Sequence, residues 1–327
     1  MKISVIICTH NPREDYLRRT LESLEKQTLP KNQWEFLLVD NASEVPLCDD
    51  WDLSWHPHGK HILETKLGLT PARIRGVRES KADLLLYVDD DNVLAPDYLE
   101  RTLEIASRMP FLGCFGAGRL EPEFEEEPAP ELLCYTEMLA LRVVDSPKWS
   151  NNPCDRWAPW GAGLVVTRYI AEKYVKVVES SDILLKLGRR GSALFSGEDD
   201  EFSWLACELG MGRGIFPELQ SLHLINRERV KQDYLLKLAR AMNYSGVMLS
   251  YMHNQKLPLA RKTPSGWNVL KCLVTLKRSR FIDEGHEWWR WINKTPTERA
   301  FERARINGIQ DGLVFLEEYA TSKANDS

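Results

Sequence analysis

The chain lacks four features that would each have pointed to a function class: a basic excess, a paired-cysteine motif, a membrane-length apolar run and a glycine-rich phosphate loop. With 43 basic against 48 acidic residues and a formal charge of -5, nucleic acid is not expected as the main partner, because phosphate-binding surfaces usually show as a basic excess. The seven cysteines, at 8, 48, 114, 134, 154, 207 and 272, include no C-x-x-C pair. Such a scattered odd set reads as small buried hydrophobes in a reducing compartment. No stretch approaches the ~20 apolar residues that span a bilayer. The apolar run Ile3 to Cys8 is too short for a signal-peptide core and breaks at once into Thr9-His10-Asn11-Pro12. A cytoplasmic protein is expected, with peripheral contact at the inner face of the membrane left open. There is no internal repeat, and 43% hydrophobic residues over 327 positions leave ample material for a core.

What is present alternates between two periodicities. Ile3–Cys8, Phe36–Val39 and Leu84–Val88 are short apolar runs of the kind that form strands buried on both faces. Between them, Asn11-Pro12 offers a helix cap and first-turn proline before Leu17, Leu21 and Leu24, and Thr70-Pro71 repeats that signal before Ala72–Glu79. Alternating strands and helices predict parallel crossovers and an α/β open sheet with helices on both faces. Ligands of such sheets sit beyond the carboxyl ends of the strands. That is where Thr9-His10-Asn11, Asp40-Asn41 and Asp89-Asp90-Asp91-Asn92 fall. The glutamate- and proline-rich segment 121–131 reads as an exposed loop or lid, and helical patterns follow over 230–252 and 297–319.

Three polar clusters could carry chemistry. Adjacent carboxylates at 89–91 suit a hard divalent ion, which takes one or two carboxylates and completes its shell with phosphate oxygens and water; a solvated strand-ending turn is the plain alternative. Glu198-Asp199-Asp200-Glu201 stands at a helix start, where a carboxylate serves either as a cap of the helix dipole or as a general base. His223 lies in the apolar stretch Leu222–Ile225, as a core histidine or a ligand.

Taken in order, these segments resemble glycosyltransferase family 2, whose members invert configuration on a GT-A fold. Ser4-Val5-Ile6-Ile7-Cys8-Thr9-His10-Asn11 is similar to S-V-I-I-P-T-Y-N, departing at Cys8 and His10. Leu38 to Ser43 is similar to V-V-D-N-A-S. Gly68 with Ala72-Arg73-Ile74-Arg75-Gly76 resembles G-x-x-x-A-R-N-x-G, and Tyr87 to Asp91 the D-x-D motif. Gly161-Ala162-Gly163 through Arg168, Gly197-Glu198-Asp199, and His223 with Arg227, Arg229 and Tyr234 complete the series.

The resemblance covers about residues 3–246. It implies a GT-A type nucleotide-binding open mixed sheet flanked by helices, with a helical C-terminal extension. The divisions would be 1–120 for the nucleotide-sugar half, 121–229 for the acceptor-side half and 230–327 for the helical region. By the same resemblance a nucleotide sugar, most simply UDP-linked, would meet Thr9, His10, Asn11, Asp40, Asn41, Arg73, Asp89 and Asp90. Mn²⁺ or Mg²⁺ would be held by Asp91, Asp89 and His223. Asp199, with Glu198 as its rival, would be the catalytic base. Trp160, Gly161 and Asp200 would face a saccharide or lipid-linked acceptor. A nucleotidyltransferase is disfavoured because Cys8–Pro12 contains no glycine, and an inactive GT-A binding module because the acid set is intact. Basic residues Lys271, Lys277, Arg278 and Arg280 with Trp288, Trp289 and Trp291 suit either an anionic membrane interface or a helical subdomain packed on the core or on a second subunit, so a homodimer also stays open.

Overall fold

The computed structural model describes residues 1–181, 183–184, 197–260, 263–264 and 288–325. These form two compact units, one of residues 1–128 and 136–230, the other of 129–135 and 231–327.

The first unit is built on one mixed sheet. Strands β1 (Ile3–Thr9), β2 (Trp34–Asp40), β3 (Gly59–Leu63) and β4 (Leu84–Val88) run parallel in the order β3-β2-β1-β4. The sheet continues through β9 (Leu164–Thr167), β6 (Leu112–Phe124), β10 (Gly212–Ile225) and β5 (Asn92–Leu94). β9 is antiparallel to both of its neighbours, which makes the sheet mixed. Two short strands attach at the side, β7 (Arg142–Val143) to β6 and β8 (Lys148–Ser150) to β10. Every residue of β2 is buried, as are all but one of β1, because helices cover both faces. This is why those strands read as unbroken apolar runs rather than alternating ones. The covering helices are α1 (Glu14–Glu25), α3 (Leu69–Glu79), α4 (Tyr98–Arg108), α5 (Arg168–Glu179) and α6 (Glu198–Glu208), with α2 (Leu47–Asp50) a single turn.

Four expectations are corrected. Helix α1 begins at Glu14, not at Pro12, because Asn11 is committed elsewhere: its N–H donates to the Ser43 hydroxyl (3.0 Å) and its side-chain oxygen accepts from Glu44 N–H (2.8 Å). Helix α3 is preceded by Gly68 at φ 137°, a backbone conformation that favours glycine, so Thr70-Pro71 lies inside the first turn, where the missing proline N–H costs nothing. The acidic segment is not loop throughout, since β6 continues to Phe124 and pairs with β10 from Leu222 to Ile225. Its glutamates are held by arginines: Glu123 by Arg19 (2.5 Å) and Glu125 by Arg13 (2.6 Å). Of the cysteines described, Cys114 alone is buried; Cys8 and Cys207 are half-buried, and Cys48, Cys134 and Cys154 are exposed.

The second unit is two long helices, α7 (Gln232–Met252) and α8 (Pro296–Asn325), with the segment 129–135 contributing Tyr135, whose ring stacks on Phe301 at 3.5 Å and 6°. Among the described residues no helix is long and apolar enough to cross a membrane. The basic stretch 270–281 lies outside the described residues; of the tryptophans beside it, Trp289 is exposed and Trp291 buried. Close approach of the two helices depends on Gly308 and Gly312, one turn apart on α8. A Cβ at Gly308 would run into the Arg240 carbonyl group, and one at Gly312 would sit 2.8 Å from Val247 Cβ. Gly308→Val should therefore lower stability by about 1–3 kcal/mol through overpacking. Urea unfolding followed by circular dichroism measures it, and an unchanged midpoint would mean the helices do not meet there.

Candidate active site

The carboxyl ends of β1, β2 and β4 open on one cleft of about 280 Å³. Thr9, His10, Asn41, Asp89, Asp90 and Asp91 line it, together with His223 from β10 and Arg229 from the turn that follows. Parallel strands place their last residues side by side, so motifs about 30 and 80 positions apart in the chain meet here. His223 arrives by antiparallel pairing: it lies opposite Asn92 in the β10–β5 ladder, and Leu224 N–H donates to the Asp91 carbonyl (2.8 Å).

The floor of the cleft is a crowd of like charges. Burial and the neighbouring Asp91 carboxylate push the Asp90 carboxyl up to about 7; the Thr9 hydroxyl, which donates to it, and the Arg229 cation act the other way. Asp91 Oδ2 is 2.8 Å from Arg229 Nη1 and 3.2 Å from His223 Nε2, and that same Nη1 is 3.2 Å from Nε2. Burial raises the Cys8 thiol to about 12, so it lines the cleft as a neutral group.

Asn41 builds the wall. Its amide donates to the carbonyls of Lys66 (2.8 Å) and Glu64 (3.3 Å) and accepts from Gly68 N–H (2.7 Å), clasping the loop before α3. His10 Nδ1 is 2.9 Å from the Asn41 carbonyl oxygen. Three residues expected at the nucleotide, Asp40, Asn11 and Arg73, do not line the cleft. Asp40 is buried and its carboxylate accepts from Ser43 N–H (2.9 Å) and Leu47 N–H (3.1 Å), shaping the turn after β2. Asn11 lies outside, in the contacts with Ser43 and Glu44 given above.

A second cluster forms around Gly161. Asp199 Oδ2 accepts the Gly161 N–H (2.9 Å), and a Cβ on Gly161 would lie 2.6 Å from Arg73 Nη2 and 3.7 Å from that oxygen. Arg73, also expected at the nucleotide, is buried here instead, with its guanidinium 5.4 Å from the Tyr87 ring centre. Asp199 and Asp200 stand in the first turn of α6 behind Gly197 (φ 132°), where the helix dipole favours carboxylates. The side chain of Glu198 lies outside the described residues. Gly163 N–H donates to the Tyr87 carbonyl (3.1 Å), which sets this loop beside the strand that ends in Asp89.

Arg142 was not foreseen. Its guanidinium lies 3.5 Å from the Trp160 ring centre and donates to the Ala158 carbonyl (2.9 Å). Burial lowers it to about 10, and the charges of Asp199 and Asp200 act to raise it. No local pattern marks it; it reaches the cluster because β7 pairs with β6. Arg229 carried a signal, six residues after His223, without being assigned a place in the site.

The residues were tested against a divalent cation. Among the described residues, no three His, Cys, Asp or Glu side chains gather into a cage for one ion. A cation bound with a diphosphate needs only one or two protein ligands. Asp91 Oδ2 and His223 Nε2, 3.2 Å apart, match the separation of about 3 Å between adjacent ligands of an octahedral ion at ~2.1 Å. The pair fits such an ion provided that phosphate and water complete its shell.

Residues 4–137 match the profile of glycosyl transferase family 2. A glycosyltransferase of Haemophilus influenzae, itself described as uncharacterised, is 32% identical over 108 residues, 33% of this chain and 35% of that protein. YwdF of Bacillus subtilis, described in the same way, is 34% identical over 101 residues, 31% of this chain and 37% of its own length. The match thus spans about a third of the curated relatives' length. The mannosyltransferase PcManGT of Pyrobaculum calidifontis, solved with GDP-Man and Mn²⁺, superposes with a TM-score of 0.58 over 95% of this chain and 87% of that one, at 14% identity. The fold is GT-A.

The raised Asp90 carboxyl gives a pH prediction. Its folded-state pKa lies above its unfolded value, so its contribution to stability is present at low pH and lost as pH rises through about 7. With divalent ions chelated, the melting temperature should fall between pH 5 and pH 8 by an amount that Asp90→Asn removes. At pH 8 the variant should melt a few degrees higher than wild type. Parallel pH profiles for the two proteins would contradict the charge crowding.

Proposed function

We propose that the chain is an inverting glycosyltransferase that moves a sugar from a nucleoside diphosphate, most simply uridine diphosphate, to a hydroxyl of a saccharide or lipid-linked acceptor. The observation that carries this reading is the meeting of Asp89–Asp91 with His223 and Arg229 in one cleft, on a fold that also ties Asp199, at the start of α6, to the Gly161–Gly163 loop hydrogen-bonded to β4. The fold neighbour from Pyrobaculum calidifontis holds a nucleotide sugar and Mn²⁺, and the proposal carries that pairing to this chain.

In this reading Thr9, His10 and the Asn41-clasped wall receive the nucleotide. Asp91 and His223, with Asp89 alongside, hold Mn²⁺ or Mg²⁺, which when bound supplies positive charge to the diphosphate as it leaves. The acceptor oxygen forms a bond to the anomeric carbon while the bond from that carbon to the phosphate oxygen breaks with its electron pair. The acceptor proton passes to Asp199. That carboxylate is oriented at both oxygens, Oδ2 accepting from Gly161 N–H (2.9 Å) and Oδ1 from Asp200 N–H (3.1 Å), and each oxygen keeps a lone pair for the hydroxyl. Trp160, backed by Arg142, offers an aromatic face to the acceptor sugar, and Asp200 a second carboxylate beside it.

Asp199→Asn should reduce turnover by about 10²–10⁴-fold, the range for a lost general base, while leaving UDP binding within about twofold. Near-normal turnover would move the base to Glu198 or Asp200. Separately, Asp91→Ala should abolish the part of UDP affinity that EDTA removes from wild type. If EDTA leaves UDP affinity in the wild-type protein unaltered, the divalent cation has no part in donor binding.

A further inference from the structure

Arg229 occupies an unusual position for a surface-derived arginine. Its side chain is 12% exposed, and its Nη1 lies against both atoms that would ligate a divalent cation, Asp91 Oδ2 at 2.8 Å and His223 Nε2 at 3.2 Å. One guanidinium nitrogen thus takes the two contacts a metal would need. The two cations cannot share them: a doubly charged ion bound to those atoms would stand within about 4 Å of the guanidinium nitrogen, in a part-buried site where like charges repel strongly. Removing every cation is no alternative, because the carboxylates of Asp89, Asp90 and Asp91 line one cleft and repel one another.

The backbone that carries Arg229 is fixed. Asn226 Oδ1 accepts from the N–H groups of Glu228 and Arg229, at 3.1 Å each, and the Asn226 carbonyl accepts from Arg229 N–H at 3.0 Å. A change of partner therefore needs only side-chain rotation from a pinned turn at the rim of the cleft.

We infer that Arg229 is the counter-ion of Asp91 in the donor-free protein, and that it yields Asp91 and His223 to the divalent cation when that ion arrives with the diphosphate, then pairs with the diphosphate itself. This rests on the metal-assisted reading above. It implies a particular energetics. A cation arriving alone must break the part-buried Arg229–Asp91 ion pair and brings no new anion in its place. A cation arriving with a diphosphate provides the anion in the same step. Binding of cation and nucleotide is therefore coupled through Arg229, in addition to their direct contact.

The test measures Mn²⁺ binding by electron paramagnetic resonance, with and without UDP, in wild type, Arg229→Ala and Arg229→Gln. The Gln variant keeps a donor toward Asp91 in case the Ala variant fails to fold. Without UDP, the variants should bind Mn²⁺ at least tenfold more tightly than wild type. With Mn²⁺ saturating, their UDP affinity should be at least tenfold weaker. The enhancement of Mn²⁺ affinity by UDP should shrink accordingly. Mn²⁺ that binds wild type and variants equally without UDP overturns the exchange and leaves the metal reading intact. Mn²⁺ that binds none of them, with or without UDP, overturns the metal reading and the exchange together.

Discussion

The site is organised by electrostatic repulsion. Three consecutive carboxylates at the end of a buried strand cannot all be ionised in a cleft without a cation close by, and the structure answers with Arg229 on Asp91 and the Thr9 hydroxyl on Asp90. Much else follows from keeping those partners in reach. Strand β10 must be long, because it delivers His223 opposite Asn92 and then turns through Asn226 to bring Arg229 back to the carboxylates. Strand β1 must lie beside β4, because Thr9 has to meet Asp90.

A second constraint acts through the backbone rather than charge. Gly161 presents an N–H to Asp199 with Arg73 pressed against its α-carbon, so a side chain there would displace one or the other. The general-base candidate is thus held by a main-chain donor on a loop that is itself hydrogen-bonded to β4 through Gly163. The carboxylate cleft and the Gly161–Asp199 cluster share that one strand as a common reference.

Much of this was legible in the sequence because the relevant signals are local. Apolar runs in β1, β2 and β4 ended in polar groups, and parallel pairing alone suffices to bring Thr9, Asn41 and Asp89–Asp91 together. Asp40 and Asn11 illustrate the limit: a carboxylate or amide at a strand end can serve the turn as readily as a ligand, and the backbone bonds that these two side chains make are not encoded in any local pattern. Arg142 was invisible because it depends on a two-residue strand pairing with β6, a contact that no local periodicity encodes. The acidic segment misled for a related reason. Glutamate and proline disfavour strands in isolation, yet pairing with β10 and ion pairs to Arg13 and Arg19 held the chain extended.

The Arg142–Trp160 stack separates two kinds of inherited change. Thr9 and His223 of the carboxylate cleft sit, buried, on strands of the central sheet, where substitution disturbs packing. Trp160 and Arg142 stand instead on a loop and on a two-residue side strand, half-buried, joined by ring contact and one hydrogen bond. A change at that pair touches neither the strands nor the ion pairs that build the carboxylate cleft. Positions 142 and 160 are therefore where a library of variants can be large without unsettling the carboxylates.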